Sequence, residues 1–215
     1  MFKKTLQRKA AEAQMKLDYQ QSLLKATIKT QEKERKRIAA DLHDALISKL
    51  TVLQMKEKNE ESELLIGESI SIARRISHDL SPPLIEYASL TELIEEALRP
   101  WKQHMNVVFH IDIRKHIDFT IDFKIQLTRV VQEILTNISK HAKAKELLVH
   151  LRQTPNGLAL VIKDNGVGFS VEQKQKGLGL QNIATRVQYL DGVYKIKSKR
   201  NMGTTNLFFF NLTPE

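Results

Sequence analysis

Apolar and polar residues alternate in two different ways along this chain, and the change near residue 89 divides it. Through the first 58 positions no proline or glycine interrupts a sequence rich in Lys, Glu, Gln, Ala and Leu. That composition predicts one long helix or two abutting ones. Ile38, Leu42, Ala45, Leu46, Lys49 and Leu53 fall in one stripe when the chain is wound at about 100° per residue. The polar stretch Glu57 to Ser62 (EKNEES) reads as a connection. Beyond it Ile66, Ile70, Ala73, Ser77 and Leu80 recur at alternating spacings of four and three, a second amphipathic helix that Ser81, Pro82 and Pro83 bring to an end. A hairpin with one apolar stripe per helix is a poor monomer and a good half of a four-helix bundle, so a homodimer is expected.

From Ser89 onward the pattern becomes mixed. A helix is predicted from Thr91 to about His104 with a kink at Pro100, then an alternating run from Val107 to Ile113, then a helix from about Phe123 to His141. Strand-like runs follow at Leu147 to Arg152, Leu158 to Asp164, Val193 to Ser198 and Thr204 to Leu212. Pro155-Asn156-Gly157 and Asn201-Met202-Gly203 mark turns between them. These elements imply a mostly antiparallel sheet carrying helices, and the overall class is α+β. The stretch from Asp164 to Gly179, rich in Gly, Gln and Lys, has the composition of a lid over a site, with a helix opening near Leu180.

Composition narrows the reading. A chain of 215 residues suffices for one packed domain and a smaller helical element. It has no cysteine, which excludes disulfides and thiolate metal sites. The formal charge of +9 invites a nucleic-acid reading, but the excess is interleaved with Glu along helices, so no direct nucleic-acid partner is expected. No run of about 18 apolar residues occurs and the Met1 region lacks a secretory signal, so the chain is expected to be soluble and cytoplasmic. The basic amphipathic stretch Phe2 to Lys29 also has the character of a segment that follows a membrane span on its cytoplasmic side.

Two clusters carry candidate chemistry. In QEKERKRIAADLH, followed by Asp44, His43 lies about 100° off the apolar stripe, aimed at solvent with a carboxylate within reach of its ring. A packing histidine belongs in the stripe; this one has the placement of a group that gives or receives something. In QLTRVVQEILTNISKHA, Glu133, Asn137, Lys140 and His141 gather on one helix face while Leu127, Val131, Ile134 and Ile138 gather on another. A carboxylate, an amide oxygen and a cation side by side suit a magnesium-bound polyphosphate. Downstream come Asp164-Asn165-Gly166-Val167-Gly168-Phe169 at a strand end and Gly177-Leu178-Gly179-Leu180 at a helix start. Glycines let backbone N–H groups approach phosphate oxygens, and a helix start adds its positive end. Asp164 can accept from an exocyclic amine such as that of adenine. Alone, DNGVG is compatible with a hairpin turn and GLGL with a helix start; together, in this order, they are specific.

At this point the residues resemble a known family. QEKERKRIAADLHD is similar to the phosphoacceptor box of sensor histidine kinases of the nitrate-sensor and thermosensor class. EILTNISKHA, DNGVGF, GLGL and GTT resemble the boxes of the ATP-binding domain shared by histidine kinases, type II topoisomerases and Hsp90-type chaperones. The likeness covers about residues 32 to 212. It implies an N-terminal signalling coiled coil over 1–30, a dimerisation and phosphoacceptor hairpin over 31–86, and a catalytic α/β sandwich over 87–215. It implies ATP and Mg2+ as cofactors, His43 as the phosphorylated residue and Asp44 as its acid–base partner. By the same resemblance Asn137 is the magnesium ligand with Glu133 near it, Lys140 and His141 contact phosphates, and Asp164 takes the adenine amine. Gly166 and Gly168 shape that pocket, Gly177 and Gly179 form the lid-end phosphate loop, and Thr204 or Thr205 completes the adenine site. The implied partner is the receiver domain of a response regulator with a helix-turn-helix output. Two positions depart from the pattern: Ser48 stands where many relatives carry Gln or Asn, which puts phosphatase activity in question, and Asn182 stands where many carry glycine. The rival reading is an ATP-binding conformational switch, or a serine kinase of the anti-sigma type, built on the same ATP fold.

Overall fold

The computed structural model describes residues 2–56, 59–80, 85–170 and 178–212, and the chain divides into two compact units, residues 1–84 and 85–215. The first unit is helical. Helix α1 (Phe2–Asp41) runs into a π-helical segment, Leu42–Ile47, and continues as α2 (Ser48–Lys56); α3 (Glu60–Leu80) returns against them. Asn59 accepts the Glu61 amide through its side chain at 2.9 Å, opening α3 as a cap. The expected stops at Ser81, Pro82 and Pro83 lie outside the described residues, as do Glu57 and Lys58 of the connection.

The π segment alters which residues meet. Ala39 is buried, and an uninterrupted α-helix would bury the position seven residues on, Leu46. The π turn inserts one extra residue, so Ile47 is buried instead and packs with Ile70 and Ala73, while Leu46 stays exposed. Ser77 Oγ donates to the Ala39 carbonyl at 3.2 Å, a contact that ties α3 to α1. The stripe of α3 is thus as expected, whereas Ile38, Leu46 and Leu53 of the first stripe form a second apolar face that the hairpin itself does not cover.

The second unit is a two-layer α/β sandwich. Ser89 and Glu92 form a capping box that starts α4 (Leu90–Leu98), and Pro100 lies in the 3₁₀ turn Arg99–Gln103 that ends it. The remaining elements are β1 (Asn106–Ile113), α5 (Ile121–Asn137) with a π turn at Ile138–Ala142, β2 (Glu146–Thr154), β3 (Gly157–Asp164), α6 (Leu178–Tyr189), β4 (Val193–Ser198) and β5 (Thr204–Asn211). The sheet order is β1-β2-β3-β5-β4, with β1 and β2 parallel and the other pairs antiparallel. Alternate residues of the central strands, Leu147, Val149, Leu151, Leu158, Leu160, Ile162, Phe208 and Phe210, face one way and are buried with Leu127, Val131, Ile134, Ile183 and Val187 of α5 and α6. This core sets α5 and α6 across the sheet so that the end of α5, the start of α6 and the ends of β3 and β5 converge. On the other face, His110 and His150 meet edge to face across β1 and β2, their centroids 6.3 Å apart.

Candidate nucleotide cleft and phosphoacceptor segment

A cleft of about 240 Å³ opens at that convergence, lined by Asn137 and His141 from the end of α5, Asp164 and Gly168, Gly179 of α6, and Thr204 and Asn206 of β5. Ile134, Ile138, Ile183 and Ile196 complete it with apolar wall. An apolar slot with a few convergent polar groups suits the edge and faces of a planar base.

Asp164 ends β3 with only 2% of its surface exposed. The Gly166 amide donates to its Oδ1 at 2.9 Å. Burial pushes its carboxyl above the ordinary carboxylate range, against the opposing pull of the Gly166 and Thr204 backbone N–H groups. Folding therefore favours the neutral form, and ionising Asp164 at neutral pH costs stability that a donor from a ligand would return. Asp164→Asn is expected to weaken ATP binding by about 10- to 100-fold, the worth of a hydrogen bond to a charged group. Stability at neutral pH should be held or raised, because a buried charge is removed. The parent's ATP affinity should decline on acidification at a pH above that of an ordinary aspartate, and the variant's curve should be flat there. Calorimetric titrations across pH and thermal melts check all three; a D164N variant that binds ATP like the parent would exclude the carboxylate from the site.

The loop after Asp164 is held by backbone and glycine geometry. Asn165 Oδ1 accepts from the Lys145 and Glu146 amides at 2.9 and 3.0 Å, and the Val167 amide donates to the Ala142 carbonyl at 2.8 Å. A Cβ at Gly166 would stand 2.3 Å from that same carbonyl oxygen, so Gly166 packs on the end of α5 and shapes the cleft from behind without lining it. Gly168 has φ +55° and Gly203 has φ +74°, the left-handed region glycine occupies freely. Ser198 of β4, which has no motif to mark it in the sequence, joins the two turns: its Oγ accepts the Phe169 amide at 2.9 Å and lies 2.9 Å from Thr204 Oγ1.

On the phosphate side, Gly179 lies against the two oxygen-bearing residues of α5. A Cβ there would stand 2.5 Å from Glu133 Oε1 and 3.2 Å from Asn137 Oδ1. The structure thus brings Glu133, Asn137 and Gly179 together, although Glu133 does not line the cleft. The π turn after Asn137 winds more residues per turn, which carries His141 to the cleft and leaves Lys140 exposed outside its lining. Helix α6 begins at Leu178, so Gly179 sits in its first turn rather than ahead of it. Gly177 and residues 171–176 of the expected lid lie outside the described residues. Strand alternation separates Thr204 from Thr205: Thr204 is buried and lines the cleft, and Thr205 faces the opposite side of the sheet.

In the helical unit, His43 lies inside the π segment with its side chain 66% exposed, and Asp44 is exposed beside it with Oδ1 3.3 Å from His43 Nδ1. π turns recur where a helix carries function, since the extra residue frees a carbonyl and aims side chains out of register. Ser48 is committed locally, its hydroxyl donating to the His43 carbonyl at 3.2 Å.

Residues 123–214 match the family of histidine kinase-, DNA gyrase B- and HSP90-like ATPases. Residues 123–214 thus form a histidine kinase-type ATPase domain. The chain is 30% identical over 210 residues to the signal transduction histidine-protein kinase/phosphatase DegS of Brevibacillus brevis, a match covering 87% of this chain and 54% of that protein. It is 28% identical over 207 residues to the sensor histidine kinase ComP of Bacillus subtilis (strain 168), covering 84% of this chain and 27% of that one. The chain therefore spans about half the length of the first relative and less of the second. Among solved structures, full-length ShkA in complex with AMPPNP superposes with a TM-score of 0.55 at 10% identity, over 86% of this chain and 46% of that one, a likeness of fold alone. The ATPase domain, the fold order and the resemblance to sensor histidine kinases expected from the sequence agree with these findings. No helix among the described residues is long and apolar enough to cross a membrane.

Proposed function

We propose that this chain is an ATP-dependent histidine autokinase of a two-component system, phosphorylated on His43. The observation that carries the proposal is the exposed imidazole of His43, paired with Asp44 in a π break, on a chain whose other unit is an ATPase domain. Because Asp44 faces Nδ1, Nε2 is the nitrogen left free to attack. A bond forms between Nε2 and the γ-phosphorus while the bond from that phosphorus to the β,γ-bridging oxygen breaks and ADP departs. Asp44 holds the Nδ1 proton and stabilises the positive charge that the ring acquires. Phosphoryl transfer asks a protein mainly for alignment and neutralisation. Asp164 and Thr204 orient the base, and Gly179 and His141 border the phosphate end. Asn137 and Glu133 would hold Mg2+, which takes few protein oxygens and neutralises charge on the polyphosphate when bound. Lys140, outside the cleft lining, and Gly177 are assigned to the phosphates only by their place in the motifs.

Residues 31–86 act in this proposal as the dimerisation and phosphoacceptor hairpin, 87–215 as the catalytic domain and 1–30 as the signal-bearing helix, in the cytoplasm. A homodimer is supported by the uncovered apolar side chains of the hairpin: Leu46, Leu53, Leu64, Leu65, Ile72 and Ile76 are each 44% exposed or more, a load that isolated helices shed by pairing. The phosphoryl group then passes to an aspartate of a response regulator receiver domain. Ser48, bonded back to its own helix, is not positioned to orient a hydrolytic water, so phosphatase activity toward the regulator should be weak. Incubation with ATP and Mg2+ should give phosphate on the chain that is acid-labile and alkali-stable, chased onto a receiver domain on mixing. Alkali-labile, acid-stable phosphate would instead indicate a serine kinase.

A further inference from the structure

The floor of the cleft carries a polar group that the motifs do not use. Asn206 lies on β5 two residues beyond Thr204 and faces the helix layer with it; in the register Thr204 pairs with Asp164 of β3 and Asn206 with Ile162. Asn206 is 4% exposed, and it lines the cleft beside Asp164 and Thr204. Tyr194 of β4 donates its hydroxyl proton to Asn206 Oδ1 at 2.8 Å. The Tyr194 ring is itself fixed, stacked on Phe208 with centroids 4.8 Å apart and planes 3° from parallel. Burial pushes the phenol well above its usual range, so it remains a donor at any working pH. With Oδ1 committed, Asn206 Nδ2 has no acceptor among the described residues. An amide nitrogen that opens on the cleft without a protein acceptor is placed to donate to a ligand or to a bridging water.

We propose that Asn206 reads the nucleobase, with Nδ2 donating to ring nitrogen N1 of adenine, directly or through one ordered water, while Asp164 accepts from the neighbouring exocyclic amine. Adenine presents an acceptor at N1 beside a donor amine. Guanine presents N1–H beside the acceptor O6, so the amide and the carboxylate would each meet a group of their own kind. Sites that commit buried polar groups to one hydrogen-bonding pattern discriminate strongly, because the wrong ligand leaves those groups unpaired. Asn206 is thus a specificity-determining residue and Tyr194 a positioning residue that keeps the amide turned with its nitrogen toward the base. The inference rests on the ATP reading of the cleft and adds the group that selects adenine.

The test is calorimetric titration of the full chain with ATP, 1-deaza-ATP, 7-deaza-ATP and GTP, repeated with Asn206→Leu and Tyr194→Phe. The parent should bind 1-deaza-ATP about 10-fold more weakly than ATP and treat 7-deaza-ATP nearly as ATP. Asn206→Leu should bind ATP about as weakly as the parent binds 1-deaza-ATP, cease to distinguish the two, and lose part of its preference over GTP. Tyr194→Phe keeps the ring stack and should show a reduced 1-deaza penalty. A parent that binds ATP and 1-deaza-ATP alike, or a leucine variant that retains both affinity and penalty, overturns the role of Asn206 and leaves the ATP reading standing. A parent that binds no ATP overturns the ATP reading itself. Should Asn206→Leu not fold, the parent and Tyr194→Phe decide, since an undiminished penalty in the phenylalanine variant removes the positioning argument.

Discussion

His43→Gln is expected to abolish phosphate uptake from ATP while leaving nucleotide binding as it is in the parent. Glutamine fills a similar volume and is a good helix former, and the imidazole it replaces is 66% exposed, so no cavity opens and the helix is retained. What disappears is the ring nitrogen lone pair; an amide nitrogen is conjugated to its carbonyl and does not attack phosphorus. The cleft lies in the other compact unit and shares no residue with this position. Radiolabel from ATP, counted after denaturation at alkaline pH, should be present on the parent and at background on the variant, with calorimetric ATP affinity equal in both. Label retained on the H43Q variant would transfer the acceptor role to another residue and end the proposal.

Asp44→Asn should slow the same reaction by about 10²- to 10⁴-fold, the range for a positioned acid–base partner. Asparagine keeps the size of the side chain and an oxygen that can accept from Nδ1–H. It loses the negative charge that stabilises the ring as its second nitrogen bonds to phosphorus. Asp44 is 81% exposed, so melting temperature and ATP affinity should not move. Single-turnover rates with saturating ATP separate this from a binding effect. A fall of less than about 10-fold would reduce Asp44 to a surface neighbour.

Much of this architecture was readable from patterning. Strand β5 alternates strictly and β3 does so from Leu158 onward, and Asp164 stands at the strand end where it was expected. Glu133 and Asn137 share a helix face as their spacing implied, and the structure adds Gly179 against them. The failures trace to one assumption, a constant turn of about 100° per residue. Both helices that carry candidate chemistry contain a π turn, at Leu42–Ile47 and at Ile138–Ala142. In the first, burial moves from Leu46 to Ile47; in the second, His141 is at the cleft and Lys140 is outside its lining. Ser198 and Asn206 were missed for a different reason. Each is a single polar residue within a strand, and only its partners on other strands and loops, Thr204 and Phe169 for the one and Tyr194 for the other, give it a task.

Local order was therefore settled by the chain alone: two amphipathic helices, then strands and helices in sequence, glycines where backbone must approach closely, and an outward histidine with its carboxylate neighbour. Such features depend on side chains a few positions apart, whose relation is set by helix and strand periods. Tertiary structure decided which of two adjacent threonines faces the cleft, how a π turn re-aims a helix, and that Asn206 is held by a tyrosine 12 residues away. Those outcomes depend on register and packing between elements, which strand pairing and core burial fix only after the chain has closed on itself.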